Sequence, residues 1–274
     1  MTKRSFLRWP NHKMKCVTLS YDDSVVYNIK LMDIMDKYGL KGTFNLNSGI
    51  VSNDEGGRFL TKNQIINLYK NSKHEVAVHG FKHLSLSAIN ESMAVFDIIN
   101  DKNNLESMVG YIVSGLAYAN GFYDDSVLAL LSKCGIKYAR TSGQTEHFEL
   151  PENWLCWEGT CRHSNSKLMQ LAESFIECEL PKNFWYHTPK LFYLWGHSYE
   201  FNDNDNWNVI EEFAKFIGNR EDVWYATNGE IYSYVKAFDS LQYSADGRLV
   251  YNPSAIDLYV CYFKKNYIIP SGKR

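Results

Sequence analysis

Short apolar runs alternate with amphipathic stretches along most of this chain. The first run, Cys16-Val17-Thr18-Leu19-Ser20-Tyr21, has the length and β-branched character of a buried strand, and it ends on two adjacent carboxylates, Asp22 and Asp23. A helical spacing follows at once through Val25, Val26, Ile29, Met32, Ile34 and Met35, with Tyr38-Gly39 as its stop. The same unit recurs. Further strands are predicted over 41–46, 75–78, 111–116, 136–139, 190–195 and 223–226. Helices are predicted over about 61–71, 86–108, 124–134, 167–178, 207–217 and 231–241. Thr61 with Gln64, and Thr227 with Glu230, read as capping boxes. In the long helix the apolar positions are Ile89, Met93, Phe96, Ile99 and Leu105. Residues 1–15 read as a basic, irregular lead-in and 141–165 as the most irregular stretch. Beyond Tyr243, Asp246-Gly247 is a hairpin signal, with strands expected at Val250-Tyr251 and from Ile256 to Tyr262.

Strands that alternate with helices argue for an α/β fold with a parallel sheet. Seven or eight such units in one domain most simply close into a (β/α) barrel. No internal repeat or low-complexity linker interrupts the chain, so a single domain over 1–274 is expected, with a small β extension at about 243–274.

Composition narrows the function classes. The 274 residues are 45% hydrophobic and 22% charged, ordinary for a globular protein, and the net charge of -2 gives no electrostatic footprint for nucleic acid. The aromatic share of 15% is high; rings bury large areas, so most are expected in the core. No apolar run approaches the roughly 20 residues of a membrane span, and the amino terminus has basic residues but no apolar h-region, so a cytoplasmic protein is expected. The six cysteines form no C-x-x-C. A disulfide framework is not expected in such a chain, nor a bridge or metal role for Cys156 and Cys161, although both flank one short segment.

Three strand ends carry the candidate chemistry. Asp22-Asp23 closes the first strand, His79 closes the strand 75–78, and His197 follows the strand 190–195. In α/β folds such positions converge on one rigid face. An Asp pair is also a common helix N-cap, and a lone His after a strand is often a packing residue, so each signal is weak by itself. Together they are stronger. His79 and His83 lie four apart, and on one helical turn both rings would share a face and reach one cation. A strand-end Asp would complete a three-ligand site with an open position, the catalytic arrangement. His197 is placed to act as a general acid.

The order Tyr21-Asp22-Asp23-Ser24, Gly42-Thr43-Phe44, His79-x-x-x-His83 and a late strand ending in His197 resembles the polysaccharide deacetylase family, also called the NodB-homology domain or carbohydrate esterase family 4. The resemblance covers about residues 16–235. It implies a distorted (β/α) barrel of about seven parallel strands and hydrolysis of acetyl groups, N- or O-linked, on an acetylated sugar or oligosaccharide. It further implies Asp22 as general base, Asp23, His79 and His83 as ligands of one divalent metal, zinc before cobalt, nickel or manganese, and His197 as general acid.

The sequence departs from the family at two places. Ser24 replaces the usual glycine after the acid pair, which changes the backbone freedom of that loop. The family's arginine-bearing third motif aligns with Ala117-Tyr118-Ala119-Asn120-Gly121, so the usual partner of the base Asp is missing. The backbone N–H of Asn120 is the expected oxyanion donor there, and Arg162 is the expected replacement for the lost guanidinium. Tyr118 and Trp195 complete the expected substrate-binding set, while His163 and Glu200 are expected to be structural. Two other readings stand beside the deacetylase: an amidohydrolase on a small non-sugar amide, and a carbohydrate-binding protein on a decayed barrel.

Overall fold

The computed structural model describes residues 4, 6–54, 56–178 and 187–272; parts of the predicted lead-in and tail lie outside them. In chain order the strands are β1 Leu7–Arg8, β2 Lys15–Asp22, β3 Gly42–Leu46, β4 Glu75–Val78, β5 Gly115–Ala117, β6 Tyr138–Gln144, β7 Trp157–Gly159, β8 Cys161–Arg162, β9 Lys190–His197 and β10 Val223–Tyr225. Four short strands follow: β11 Gln242–Tyr243, β12 Val250–Tyr251, β13 Leu258–Tyr262 and β14 Lys265–Ile269. The α-helices are α1 Asn28–Lys37, α2 Lys62–Tyr69, α3 Glu91–Val109, α4 Asp125–Lys133, α5 Leu168–Glu177, α6 Ser198–Asp203, α7 Trp207–Ile217 and α8 Asn228–Asp239.

The main sheet runs β7-β6-β5-β4-β3-β2-β9-β8, with every pair parallel. Its two ends are consecutive pieces of one run, because β7 pairs with β6 and β8 pairs with β9. Thr160, between them, bonds both ways: its N–H donates to Tyr193 O at 2.8 Å and its carbonyl accepts from Glu146 N at 2.9 Å. The strand path therefore comes back on itself as an irregular barrel in which β7 and β8 act as one strand. The strand β10 pairs beside the first part of β2, at Lys15–Val17, where β3 does not reach.

This closure corrects the sequence reading of 141–165 as irregular. Trp157, Gly159 and Cys161 are buried while Glu158 is exposed, an alternation too short to register against the surrounding polar residues. The strand expected over 111–116 shortens to β5, because Tyr111 and Ile112 are exposed and Val113 N–H is taken by the Glu106 carboxylate. Both expected capping boxes are present, Thr61 with Gln64 and Thr227 with Glu230.

The core lies between the sheet and the helices around it. Strand β2 is buried along nearly its whole length, as parallel strands covered on both faces are. A second apolar cluster, including Leu7, Trp9, Trp157, Tyr193 and Leu258, lies under a three-stranded sheet of β1, β13 and β14. The hairpin of β13 and β14 extends the predicted β tail, and the Asp246-Gly247 hairpin joins β11 to β12.

Helix α3 departs most from its pattern. The apolar positions Met93, Phe96 and Ile99 are exposed, and the face turned inward carries Ala94, Asp97, Ile98, Asp101 and Leu105. Two carboxylates thus occupy positions that hydrophobic periodicity assigns to the core. What they bind explains them below.

At the opposite end of the barrel from the strand termini, Glu75 accepts hydrogen bonds from Thr43 Oγ1 and Gly229 N, each at 2.8 Å, and from the Tyr138 hydroxyl. Burial pushes this carboxyl up to about 7, against the pull of those donors. Its folded pKa lies above its unfolded value, so its contribution to stability is full below about 4.5 and fades as pH rises through about 7. We predict that Glu75→Gln, whose amide can meet the same partners, raises the melting temperature at pH 8 relative to the wild type and loses that advantage at pH 5. Equal shifts at both pH values would contradict this.

Candidate active site and metal centre

The register of the barrel assembles the site. Strands β2 and β9 pair over eight residues, which sets Asp22 opposite His197, and β3 sets Asn45 opposite Asp22 from the other side. Strand β4 runs directly into His79, whose N–H donates to Leu46 O of β3 at 3.0 Å. All these groups stand at the carboxyl end of the parallel strands, where side chains on successive strands converge.

Asp22 and Asp23 diverge because Asp23 takes a left-handed backbone, φ 75°. The Asp22 carboxyl is buried against β3 and β6: Asn45 Nδ2 donates to Oδ1 at 2.8 Å, and the Arg140 guanidinium pairs with Oδ2. The Asp23 carboxyl lies 3.9 Å from Nε2 of His79 and 3.9 Å from Nε2 of His83. One ligand atom from each of Asp23, His79 and His83 lies within 4.8 Å of the other two.

The histidines do not meet on a helix, as the four-residue spacing suggests. His79 ends the strand, and His83 sits in a turn with φ 55°, which brings the rings to 4.7 Å at a steep angle. His79 Nδ1 donates to Ala117 O at 2.9 Å, which fixes the tautomer and leaves the Nε2 lone pair facing Asp23 and His83. That Nε2 is buried with no hydrogen-bond partner. Burial lowers the pKa of His79, favouring the neutral imidazole a cation requires. Side-chain exposure of 20% at Asp23 and 29% at His83, against 2% at His79, leaves the cluster open on one side. Two imidazoles, one carboxylate, an orphaned buried nitrogen and an open face fit a catalytic divalent-metal site.

Asp22 stays ionised despite its burial. Burial alone would raise its pKa, but the charge of Arg140, with His79 and His197, holds the carboxyl well below the usual range. Arg140 is itself anchored: it donates to Thr141 O at 2.8 Å and its guanidinium lies 4.5 Å from the Trp195 ring centroid. His197 Nε2 lies 3.7 Å from Asp22 Oδ2, and its Nδ1 lies 3.5 Å from Glu200 on the first turn of α6. Burial disfavours the charged ring, yet the Glu200 hydrogen bond and the charges of Asp22 and Asp23 outweigh it and raise the His197 pKa.

The remaining expected residues divide. Arg162 does not reach Asp22. Its guanidinium pairs with Glu200 and lies 3.4 Å from His197 Nδ1, so Arg140, not Arg162, stands where the missing third-motif arginine was expected to act. Trp195 is 6% exposed, with the Arg140 and Arg162 guanidiniums 4.5 and 5.5 Å from its ring centroid, a packing position rather than a substrate contact. Tyr118 is also buried; its hydroxyl donates to Leu155 O at 2.8 Å and its ring stacks on Tyr123. Asn120 is exposed beside the histidine turn with φ 60°, its side chain donating to Ser85 Oγ at 3.0 Å. His163 is held by Glu200 at 2.8 Å and stacks on Tyr21.

Arg140 and Asn45 were missed from the sequence. The available signal was register: Arg140 is paired with Ala117, so an arginine lost from the loop after β5 is recovered from the adjacent strand β6. The spacing of Glu200 three residues beyond His197 was visible but carried no meaning until α6 placed both on one turn.

A family model described as polysaccharide deacetylase matches residues 10–139. Among solved structures, a Mycobacterium smegmatis protein assigned to the polysaccharide deacetylases is 16% identical with a TM-score of 0.62, over 87% of this chain and 96% of that one. A family 4 acetyl xylan esterase from Clostridium thermocellum, in complex with a cobalt ion, is 16% identical with a TM-score of 0.50, over 80% of this chain and 91% of that one. A family 4 pseudoenzyme from Bacillus anthracis is 14% identical with a TM-score of 0.50, over 83% of this chain and 68% of that one. No curated protein matches the sequence at a significant level. The family match over residues 10–139, the strand order and the placement of the motifs at the barrel's carboxyl end all agree with a NodB-homology domain of the polysaccharide deacetylase kind.

Proposed function

We propose that this chain is a metal-dependent hydrolase that releases acetate from an acetylated sugar or oligosaccharide. The observation that carries the reading is the orphaned, buried Nε2 of His79 aimed at the same space as Asp23 and His83, next to an ionised Asp22. Zinc is the proposed ion, and the cobalt bound by the Clostridium thermocellum esterase supports a divalent ion in this fold.

The cation would supply Lewis acidity, polarising the acetyl carbonyl and lowering the pKa of a water. Asp22, fixed by Asn45 and Arg140, accepts the proton of the attacking water. Arg140 makes it an oriented but weak base, which suits a water already acidified. The backbone N–H of Asn120 is proposed to receive the developing oxyanion. His197, whose charged form is favoured by the Glu200 hydrogen bond and the Asp22 and Asp23 charges, donates to the departing amine or alcohol. The Glu200 carboxylate orients that ring from its Nδ1 side.

The binding-protein reading keeps one observation in its favour: Ala119 and Asn120 occupy the third motif, and a pseudoenzyme shares the fold. Turnover separates the two, and a panel of acetylated oligosaccharides against small amides separates the sugar substrate from the non-sugar one.

Four outcomes are expected. Asp22→Asn lowers acetate release by about 10²–10⁴-fold, the span of a general base, while zinc remains bound; full turnover would end the assignment. His197→Gln is expected to lower kcat comparably and to remove the alkaline fall in kcat expected of the wild type as His197 loses its proton; an unchanged alkaline limb would assign that limb elsewhere. Arg140→Ala leaves Asp22 buried without its cation and destabilises the fold by about 3–5 kcal/mol as well as slowing turnover. Arg162→Ala leaves the Asp22 pair intact and has the smaller effect on both; the reverse ranking would restore Arg162 as the partner of the base.

A further inference from the structure

The two loops that carry the candidate metal ligands belong to different strands, and one buried side chain joins them. Asn47 follows β3 and is 1% exposed. Its Nδ2 donates to His79 O and Gly80 O, each at 2.9 Å, which uses both amide protons on the backbone of the histidine turn. Two carbonyl acceptors leave only the nitrogen able to face them. The backbone of Asn47 meets the other loop: its N–H donates to Ser24 Oγ at 2.9 Å, and Ser24 Oγ donates to Asn47 O at 3.2 Å. Ser24 is 1% exposed and directly follows Asp23.

The rest of the turn is held from below by helix α3. Asp97 Oδ1 accepts from Lys82 N at 2.8 Å, and the Asp97 carbonyl accepts from Phe81 N at 3.2 Å. Asp101 accepts from Ser48 N at 2.6 Å, next to Asn47, and from His79 N at 3.1 Å. Positions 79, 81 and 82 thus donate their N–H groups to this frame, while the carbonyls of 79 and 80 accept from Asn47. The turn has no regular helix to fix the two rings, so these partners set the distance between them. This also accounts for Ser24 in place of glycine and for carboxylates on the inward face of α3.

We propose that Asn47 is a positioning residue for the metal centre, locking the Asp23 loop to the His79–His83 turn through Ser24 on one side and two backbone carbonyls on the other. The inference rests on the hydrolase reading above. In it, Asn47 touches neither substrate nor ion and acts through the geometry of the ligands. Asn47→Asp keeps the shape but replaces the amide donor with a carboxylate against two carbonyl oxygens. Ser24→Ala removes the hydroxyl link alone, and Ser24→Thr restores it.

The test is zinc affinity by competition with a chromophoric chelator, together with the visible spectrum of the cobalt-loaded protein and the melting temperature of each metal-free variant. Loss of an outer partner of a ligand costs about 10–100-fold in metal affinity, and that range is expected for Asn47→Asp, with an altered cobalt spectrum. Ser24→Ala is expected to weaken zinc binding by less, and Ser24→Thr to recover it. The double variant should bind no more weakly than Asn47→Asp alone, because both act on one link. Should Asn47→Asp fail to fold, Asn47→Ala is expected to show the same loss of affinity. Wild-type zinc affinity in the Asn47 variants, with only a lowered melting temperature, overturns the inference and leaves the hydrolase reading standing. A wild-type chain that takes up no zinc or cobalt overturns both.

Discussion

A buried carboxylate that stays charged is the constraint around which this molecule is arranged. Asp22 sits at the end of the central strand, 3% exposed, where desolvation alone would neutralise it. Arg140 prevents that, with Asn45 donating to the other oxygen. Breaking such a pair is costly because the surviving charge has nowhere to go. The pair therefore fixes more than a proton acceptor: it ties β2 to β6 across the barrel and holds the Trp195 ring against the Arg140 guanidinium.

Barrel closure makes the pair possible. The run 157–162 changes neighbour midway, bonding first to β6 and then to β9. The crossing brings Arg162 and His163 beside Glu200, and Glu200 beside His197. Two charge systems result, Arg140 with Asp22 and Arg162 with Glu200, both near one indole, that of Trp195. His197 stands between them, with one nitrogen toward each carboxylate. The acid and base candidates are thus held by separate counter-charges, which allows one to remain protonated while the other remains ionised.

Much of this was legible in the residues, and the limits have physical causes. The strand ends at Asp22, His79 and His197 could be placed because strong apolar runs precede them. The alternation of elements named the fold class for the same reason. The histidine pair was found but its backbone was misread: a four-residue spacing also arises from a turn with His83 in a left-handed conformation, and spacing alone does not distinguish the two. Arg140 was invisible because its role depends on strand register, a long-range property. The inward face of α3 was misassigned because Asp97 and Asp101 obey the needs of the neighbouring turn rather than helical hydrophobic periodicity. Trp195 and Tyr118 were read as substrate contacts from their places near His197 and in the third-motif segment, and both proved to be packed with their neighbours.

The central claim is that Asp23, His79 and His83 bind one catalytic divalent ion. X-ray absorption at the metal edge of the zinc-loaded or cobalt-loaded protein, combined with elemental analysis, tests it most directly. The account predicts one ion per chain with a first shell of two imidazole nitrogens and carboxylate or water oxygens, at about 2.0–2.2 Å for zinc. A first shell of water oxygens alone, a sulfur-containing shell, or no stoichiometric metal would contradict it.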